Sequence, residues 1–214
     1  MNLTEVKFKI IDERLAKAVV IQKHYLHRPP PISFAYGAYI EGDRKTKGVL
    51  TVGKPCSPTV CEGVCGKNRA KDVFELNRLW MDDALPETVT DSTGKVHSAG
   101  YESRFIGWCL RELRGSYPNL ILVSYADTRQ RHVGTVYQAT NWTYTGTSTP
   151  FKDKVGERSI ERSTKHRYVW FSNTADRMSL RWKELPYPKR PEAAVSRTGD
   201  EEVNPAQLGQ QTES

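Results

Sequence analysis

Residues 120–146, LILVSYADTRQRHVGTVYQATNWTYTG, constrain the fold more than any other segment. The unbroken apolar run at 120–123 passes into Ser124-Tyr125-Ala126-Asp127, the profile of a buried parallel-type strand whose carboxyl end opens on a cleft. Asp127 or Thr128 can cap a helix reaching about Thr140, with Val133, Val136, Tyr137 and Thr140 on one face at three-and-four spacing. Residues 142–145 then alternate as a strand and stop at Gly146. Strand, helix and strand in immediate succession point to an α/β domain.

The flanking sequence supplies the remaining layers. Val6, Phe8 and Ile10 alternate as a first strand, and Asp12 can cap a helix with Leu15, Ala18, Val19 and Gln22 along one side as far as His24. That helix must end before Pro29-Pro30-Pro31. Residues 32–40 and 48–53 read as a hairpin, 54–70 as a loop rich in Pro, Gly and Cys, and 73–80 as a central strand. Strict alternation on that strand puts Val73, Glu75, Asn77 and Leu79 on one face and Phe74, Leu76, Arg78 and Trp80 on the other. Polar groups therefore fall on both faces, where each needs a partner or a site role.

Residues 81–100 read as a long loop, and 102–113 as an amphipathic helix with Ile106, Cys109, Leu110 and Leu113 inward. Residues 149–162 read as polar loop, 165–171 as a short aromatic strand, and 176–183 as a further helix. One domain, residues 1–184, is predicted, followed by a poorly ordered tail over 185–214.

The formal charge of +7 conceals an asymmetry. Residues 191–214 hold one basic and five acidic side chains, which leaves +11 on residues 1–190. Such a surplus favours a polyanionic partner, nucleic acid before anionic lipid. No apolar run approaches the ~18 residues of a membrane span, and residues 1–10 lack the apolar core of a signal peptide, so an intracellular protein is expected. The spacing of Cys56, Cys61 and Cys65 matches no zinc knuckle and suits an ordinary loop.

The element order, strand, helix, hairpin, strand, helix, strand, helix, strand, resembles the GNAT N-acetyltransferase fold, a central mixed sheet flanked by helices. Arg104-x-x-Gly107-x-Cys109 is similar to that family's segment holding the coenzyme A pyrophosphate on backbone amides at a helix start. Residues 133–142, VGTVYQATNW, are similar to its helix end carrying a tyrosine that protonates the departing thiolate, a role this likeness gives to Tyr137. Ser103 could add a hydroxyl at the coenzyme, and the likeness brings Leu79 to the same site.

Six blocks narrow the likeness: HYLHR (24–28), GVLTVGKP (48–55), CEGVCG (61–66), ELNRLWMDD (75–83), SYADTRQRHVGTVYQATNWTYTG (124–146) and KHRYVWF (165–171). In this order they resemble the phage Mom family of DNA-modification proteins. The resemblance implies conversion of adenine in duplex DNA to a methylcarbamoyl-adenine at the 6-amino group, with acetyl-CoA as carbon source. The modification would hide phage DNA from host restriction, in the host cytoplasm. His24, Tyr25, Asp127 and Tyr137 form the implied reactive group.

Because the base nitrogen in that product is joined to a methylene carbon, plain thioester attack does not give the bond. An iron site with histidine and carboxylate ligands would suit, with His24 and Asp127 as ligands and His27 and Glu75 as further candidates. Arg28, Arg129, Arg131, Lys165 and Arg167 are phosphate candidates, and Glu75 and Asn77 face the substrate. The adenine must leave the helix, with Tyr36, Trp80 or Trp142 as its stacking platform. Two other readings fit the residues: a conventional acetyltransferase acting on an amine of a small molecule or protein, and a non-catalytic DNA-binding protein on an acyltransferase scaffold.

Overall fold

The alternating residues of β1 (Val6–Ile10) pair antiparallel with β2 (Phe34–Ile40), which pairs with β3 (Thr46–Gly53). The structure, a computed structural model, describes residues 6–91, 93–149, 151–155 and 158–189. Between β1 and β2, Asp12 caps α1 (Glu13–Lys23) by accepting from the Arg14 N–H at 2.7 Å. This helix packs Ala16 and Val20 on Ala35 and Val49, one position away from the side that spacing predicts, and Leu15 is left 41% exposed. The small Ala16 at the contact allows a close approach to the sheet.

α2 (Pro58–Cys65) leads to β4 (Val73–Met81), and a small hairpin of β5 (Thr88–Thr90) and β6 (Val96–Ser98) leads to α3 (Tyr101–Ser116). β7 (Ile121–Asp127), α4 (Thr135–Gln138) and β8 (Thr143–Thr147) follow. Then come the hairpin of β9 (Phe151–Val155) and β10 (Arg158–Arg162) and the strand β11 (Lys165–Phe171). The main sheet runs β1-β2-β3-β4-β7-β11-β8. Within it only β4 and β7 pair in parallel, and α3 supplies the crossover that such a pair requires. Leu50, Leu76 and Leu122 face α3 and pack with Phe105 and Ile106. On the opposite face Val49 meets α1, and Val73, Ile121 and Val123 pack with Val64 of α2.

Several sequence expectations are corrected. The single helix from Asp127 to Thr140 does not form. Asp127 caps as foreseen, accepting from the Arg129 N–H at 2.9 Å, but it caps only a 3-10 turn over Thr128–Gln130. Arg131 (φ 55°) and Gly134 (φ 74°) then break the chain before the four-residue α4. A Cβ at Gly134 would lie 2.4 Å from the Tyr168 ring, so glycine is required there for space as well as for its dihedral.

The Pro/Gly/Cys stretch read as loop contains α2, whose Pro58 sits in the first turn, where a missing N–H costs nothing. Within the stretch read as loop, residues 151–155 and 158–162 pair as antiparallel strands, and a 3-10 turn over Thr174–Ser179 replaces the helix expected at 176–183. Beyond it the chain stays packed. Arg181 N–H donates to the Val64 carbonyl (2.8 Å), Leu185 N–H to that of Tyr144 (2.9 Å), and the Tyr187 hydroxyl to that of Trp142 (2.6 Å). Leu185, where the tail was expected to start, therefore lies in a docked segment, and 190–214 fall outside the described residues.

Candidate active site

The β4–β7 ladder pairs Val73, Phe74, Glu75 and Leu76 with Ile121, Leu122, Val123 and Ser124, and there it ends. Past that point β4 pairs only with β3, where Leu76 faces Val52 and Arg78 faces Thr51, so Asn77 is the extra residue of a β-bulge. The bulge bends β4 away from β7 and opens a fork with a cleft of about 460 Å³. It also resets the alternation. Arg78 and Trp80 pair with Thr51 and Val49 on the α1 side, together with Glu75, while Leu79 and Met81 pair with Leu50 and Gly48 on the α3 side. The uniform two-residue period expected along β4 is thus overturned by one inserted residue.

His24, Tyr25, Glu75, Arg78, Asp127 and Lys165 all reach this cleft. His24 is buried at the end of α1, where Nδ1 accepts the Leu26 N–H at 3.2 Å, so the proton of the neutral ring sits on Nε2. Burial, then the nearby Arg78 guanidinium, lowers its pKa to about 4. Its ring stacks on that of Tyr25 at 4.4 Å, and burial followed by the Asp127 carboxylate raises the Tyr25 phenol above its ordinary value. Glu75 makes no hydrogen bond or ion pair among the described residues, and burial raises its pKa against the pull of Arg78 and Lys165. Beside it, Tyr125 is pushed up to about 12, first by burial and then by Glu75.

Tyr137 stands at the vertex of the fork. Ser124 Oγ lies 2.8 Å from the Leu76 carbonyl and 2.7 Å from the Tyr137 hydroxyl. A carbonyl can only accept, so Ser124 donates to Leu76 and accepts from Tyr137. Burial pushes the phenol up to about 12. Sequence reasoning passed over Ser124 and Tyr125 as site residues and left Arg78 between a structural pairing and a site role. Ser124 carried a signal all the same, as the first polar residue after an apolar run, and Arg78 carried one as a guanidinium on a central strand.

Other candidates have different places. Asn77 lines the cleft, but its amide is occupied, accepting from Thr51 Oγ1 at 2.6 Å and donating to the Pro31 carbonyl at 2.8 Å. Tyr36 and Trp142 are core residues, 4% and 0% exposed, and cannot stack a base, whereas Trp80 does line the cleft. Arg167 donates to Thr145 and lies 3.7 Å over the Trp182 ring, so it is a packing residue in place of the expected phosphate contact. Arg131 joins Lys165 in the cleft lining, and Arg28 and Arg129 are exposed residues outside it.

Leu79 is in the cleft wall, but Ser103, Arg104 and Gly107 line a neighbouring groove of about 720 Å³ beside α3. The helix starts at Tyr101, and the Arg104 N–H already bonds the Gly100 carbonyl at 3.0 Å. The segment 104–109 therefore lies inside the helix and cannot offer the free amides expected of it. The groove offers side chains instead: Arg104, Arg111, Arg114 and Arg177, with no carboxylate among its lining residues.

The expected iron site is not assembled. Among the described residues no three His, Cys, Asp or Glu side chains converge as a ligand set. His24 presents a protonated nitrogen, His27 Nδ1 lies 3.0 Å from the Ile21 carbonyl, and Asp127 Oδ1 accepts from Arg129 N–H and from Ser163 Oγ (2.8 Å). These donors are turned to their own backbone and neighbours, and no step is assigned to a metal.

The sequence matches the model of the Mom protein family over residues 5–164. The chain belongs to the Mom family. Methylcarbamoylase mom of Escherichia phage Mu is 29% identical over 216 residues, spanning 86% of this chain and 84% of the phage protein. Among solved structures, the ribosomal-protein-S5-alanine acetyltransferase of Vibrio fischeri matches with a TM-score of 0.50 and 11% identity, covering 86% of this chain and 98% of its own. A protein of Acinetobacter baylyi assigned as an acetyltransferase matches with a TM-score of 0.50 and 12% identity, covering 80% and 94%. This Mom family chain has the α/β fold of those acetyltransferases, a large mixed sheet flanked by helices, and it is a transferase. Among its described residues, no helix is long and apolar enough to cross a membrane.

Proposed function

We propose that this Mom family protein modifies adenine in double-stranded DNA to a methylcarbamoyl-adenine at the 6-amino group. Acetyl-CoA is the carbon source, and the product shields phage DNA from restriction in the host cytoplasm. The observation that carries this reading is the fork, which joins two differently furnished faces at one vertex. On the α1 and α2 side stand His24, Tyr25, Glu75, Arg78, Asp127 and Lys165, a polar and cationic setting for a nucleobase and its phosphates. On the α3 side Leu79, Met81 and Val136 line the cleft together with Glu102 of α3, a mainly apolar wall that suits a thioester arm.

Tyr137 lies between the two, its hydroxyl proton directed at Ser124 and its lone pairs free for a group entering the cleft. The arginine-lined groove beside α3 suits the phosphates of the coenzyme, with Arg104 and Arg111 the least engaged of its four cations. Arg114 donates to the Ser172 carbonyl, and Arg177 pairs with Glu184. Lys165 and Arg131 at the cleft, with Arg28 and Arg129 outside it, supply the cations that hold a DNA backbone.

Mass analysis of nucleosides from plasmid DNA recovered after expression tests the proposal. A deoxyadenosine carrying the added group is expected. Unmodified DNA accompanied by acetylated amines would point to a conventional acetyltransferase, and unmodified DNA without them to a binding protein; either result overturns the reading.

A further inference from the structure

Glu75 is the least explained residue in the cleft. It pairs with Val123 in the ladder, one residue before the fork, and it is partly buried. Its carboxyl has no hydrogen-bonding or ionic partner among the described residues. A carboxyl that lines a cleft without a protein partner is open to the hydrogen bonds of a ligand entering there. The charged and titratable groups acting on it are Arg78 from its own strand, Lys165 from β11, Tyr125 from β7, Tyr137 from α4 and Cys61 from α2. Burial raises its pKa against the pull of the two cations; in its protonated form the carboxyl has one O–H donor and one acceptor oxygen side by side.

A flat surface stands in the same cleft. Tyr25 is 50% exposed, and its ring is backed by that of buried His24 at 4.4 Å. Of the platforms named from sequence, Tyr36 and Trp142 are buried and Trp80 lines the cleft, and Tyr25 adds a ring that is open to it. An aromatic plate and a paired donor and acceptor lining one cleft suit a planar heterocycle that carries a ring nitrogen next to an exocyclic amine. The Watson–Crick edge of adenine, with N1 as acceptor and N6 as donor, is such an edge.

We propose that Glu75 reads the Watson–Crick edge of an adenine turned out of the duplex into this cleft, its carboxyl donating to N1 and accepting from N6 while the base lies against Tyr25. This assignment rests on the adenine-modification reading and adds the residue that recognises the base. It also explains why Glu75 is left without a protein partner on a central strand, since the partner is the substrate.

The test is binding of the full chain, without coenzyme, to duplexes carrying one bulged nucleotide: adenine, 1-deazaadenine (N1 removed), purine (amine removed) or an abasic site. Wild-type protein should bind bulged adenine about tenfold more tightly than either analogue, the size of one lost hydrogen bond. Glu75→Ala should bring adenine and both analogues within twofold of one another while affinity for the abasic duplex stays as in wild type, which shows that the variant is folded. Glu75→Gln, which keeps a donor and an acceptor, should retain the preference. The wild-type preference over 1-deazaadenine should fade with rising pH as the carboxyl loses its donor, and that of Glu75→Gln should not.

If Glu75→Ala still prefers adenine over both analogues, or wild type binds adenine no better than an abasic site, the role of Glu75 is overturned. Because binding needs no turnover, the two proposals fail separately. Modified nucleosides with no preference would remove Glu75 as the reader, and a preference without modified nucleosides would remove the catalytic reading.

Discussion

Ser124 Oγ and the Tyr137 hydroxyl are 2.7 Å apart, and because Ser124 also donates to the Leu76 carbonyl, the tyrosine is fixed to the last paired residues of β4 and β7. The geometry of the cleft vertex and the aim of the phenol thus depend on one serine. Ser124→Ala should strand a buried carbonyl and a buried phenol and cost about 1–3 kcal/mol of stability. Tyr137→Phe should fold and bind DNA but lose about 100-fold or more in turnover, the weight of a positioned acid–base group. Thermal unfolding and single-turnover rates on the two variants separate these effects.

Asp127 carries both a cap and a place in the cleft. Asp127→Ala should lower stability by about 0.5–2 kcal/mol through the lost cap. It should abolish the modified nucleoside while leaving DNA affinity largely intact. Product at the wild-type level would remove Asp127 from the site.

His24 makes stability pH-dependent. Its folded pKa, about 4, lies below the unfolded value of 6.5, so the unfolded chain binds more protons between the two. The contribution is complete above pH 6.5 and is lost as pH falls toward 4, by at most about 3 kcal/mol. Denaturant titrations from pH 7 to pH 4 should show a shallower fall for His24→Gln, whose side chain can still accept the Leu26 N–H.

Gly53 faces the carbonyl oxygen of Pro31, which lies 1.9 Å from where a Cβ would stand, and Asn77 donates to the same oxygen. Gly53→Ala should therefore push the proline segment off the sheet, at a cost of about 1–3 kcal/mol. The same change should raise KM for DNA, because His24 and Tyr25 are carried by the chain leading into that segment. Unchanged stability and KM would show that the segment can move freely.

Arg104 and Arg111 should act on the coenzyme alone. Charge reversal at Arg111 is expected to raise KM for acetyl-CoA by tenfold or more, the scale of one lost charge-assisted bond plus repulsion. Affinity for DNA measured without coenzyme should not change. A loss of DNA affinity instead would assign the groove to the nucleic acid.

The layout of this cleft was partly legible in the sequence. The element order follows from periods and caps, the resemblance to the Mom family brings in His24, Tyr25, Asp127 and Tyr137, and all four residues line one cleft. What escaped has local causes. One residue inserted at Asn77 changes the faces of everything after it, and no two-residue period reveals an insertion that depends on the register of β3. Left-handed Arg131 and Gly134 cut a helix whose side chains have good helical spacing, because the constraint comes from the Tyr168 ring, a long-range contact. Tyr36 and Trp142 looked like stacking platforms, and only the packing of the whole sheet buries them.

The segment that carries Leu185 to Tyr144 has a consequence for how the protein behaves in concentrated solution. β8 is the last strand of the sheet, and an outer strand with open amides and carbonyls is a template for any other chain in extended form. Leu185 occupies the Tyr144 carbonyl and Tyr187 that of Trp142, so the chain closes its own border with residues that add no strand. A protein shortened to end before Leu185 would keep the cleft and its reactive groups yet gain an adhesive margin, and its solubility would fall before its chemistry did.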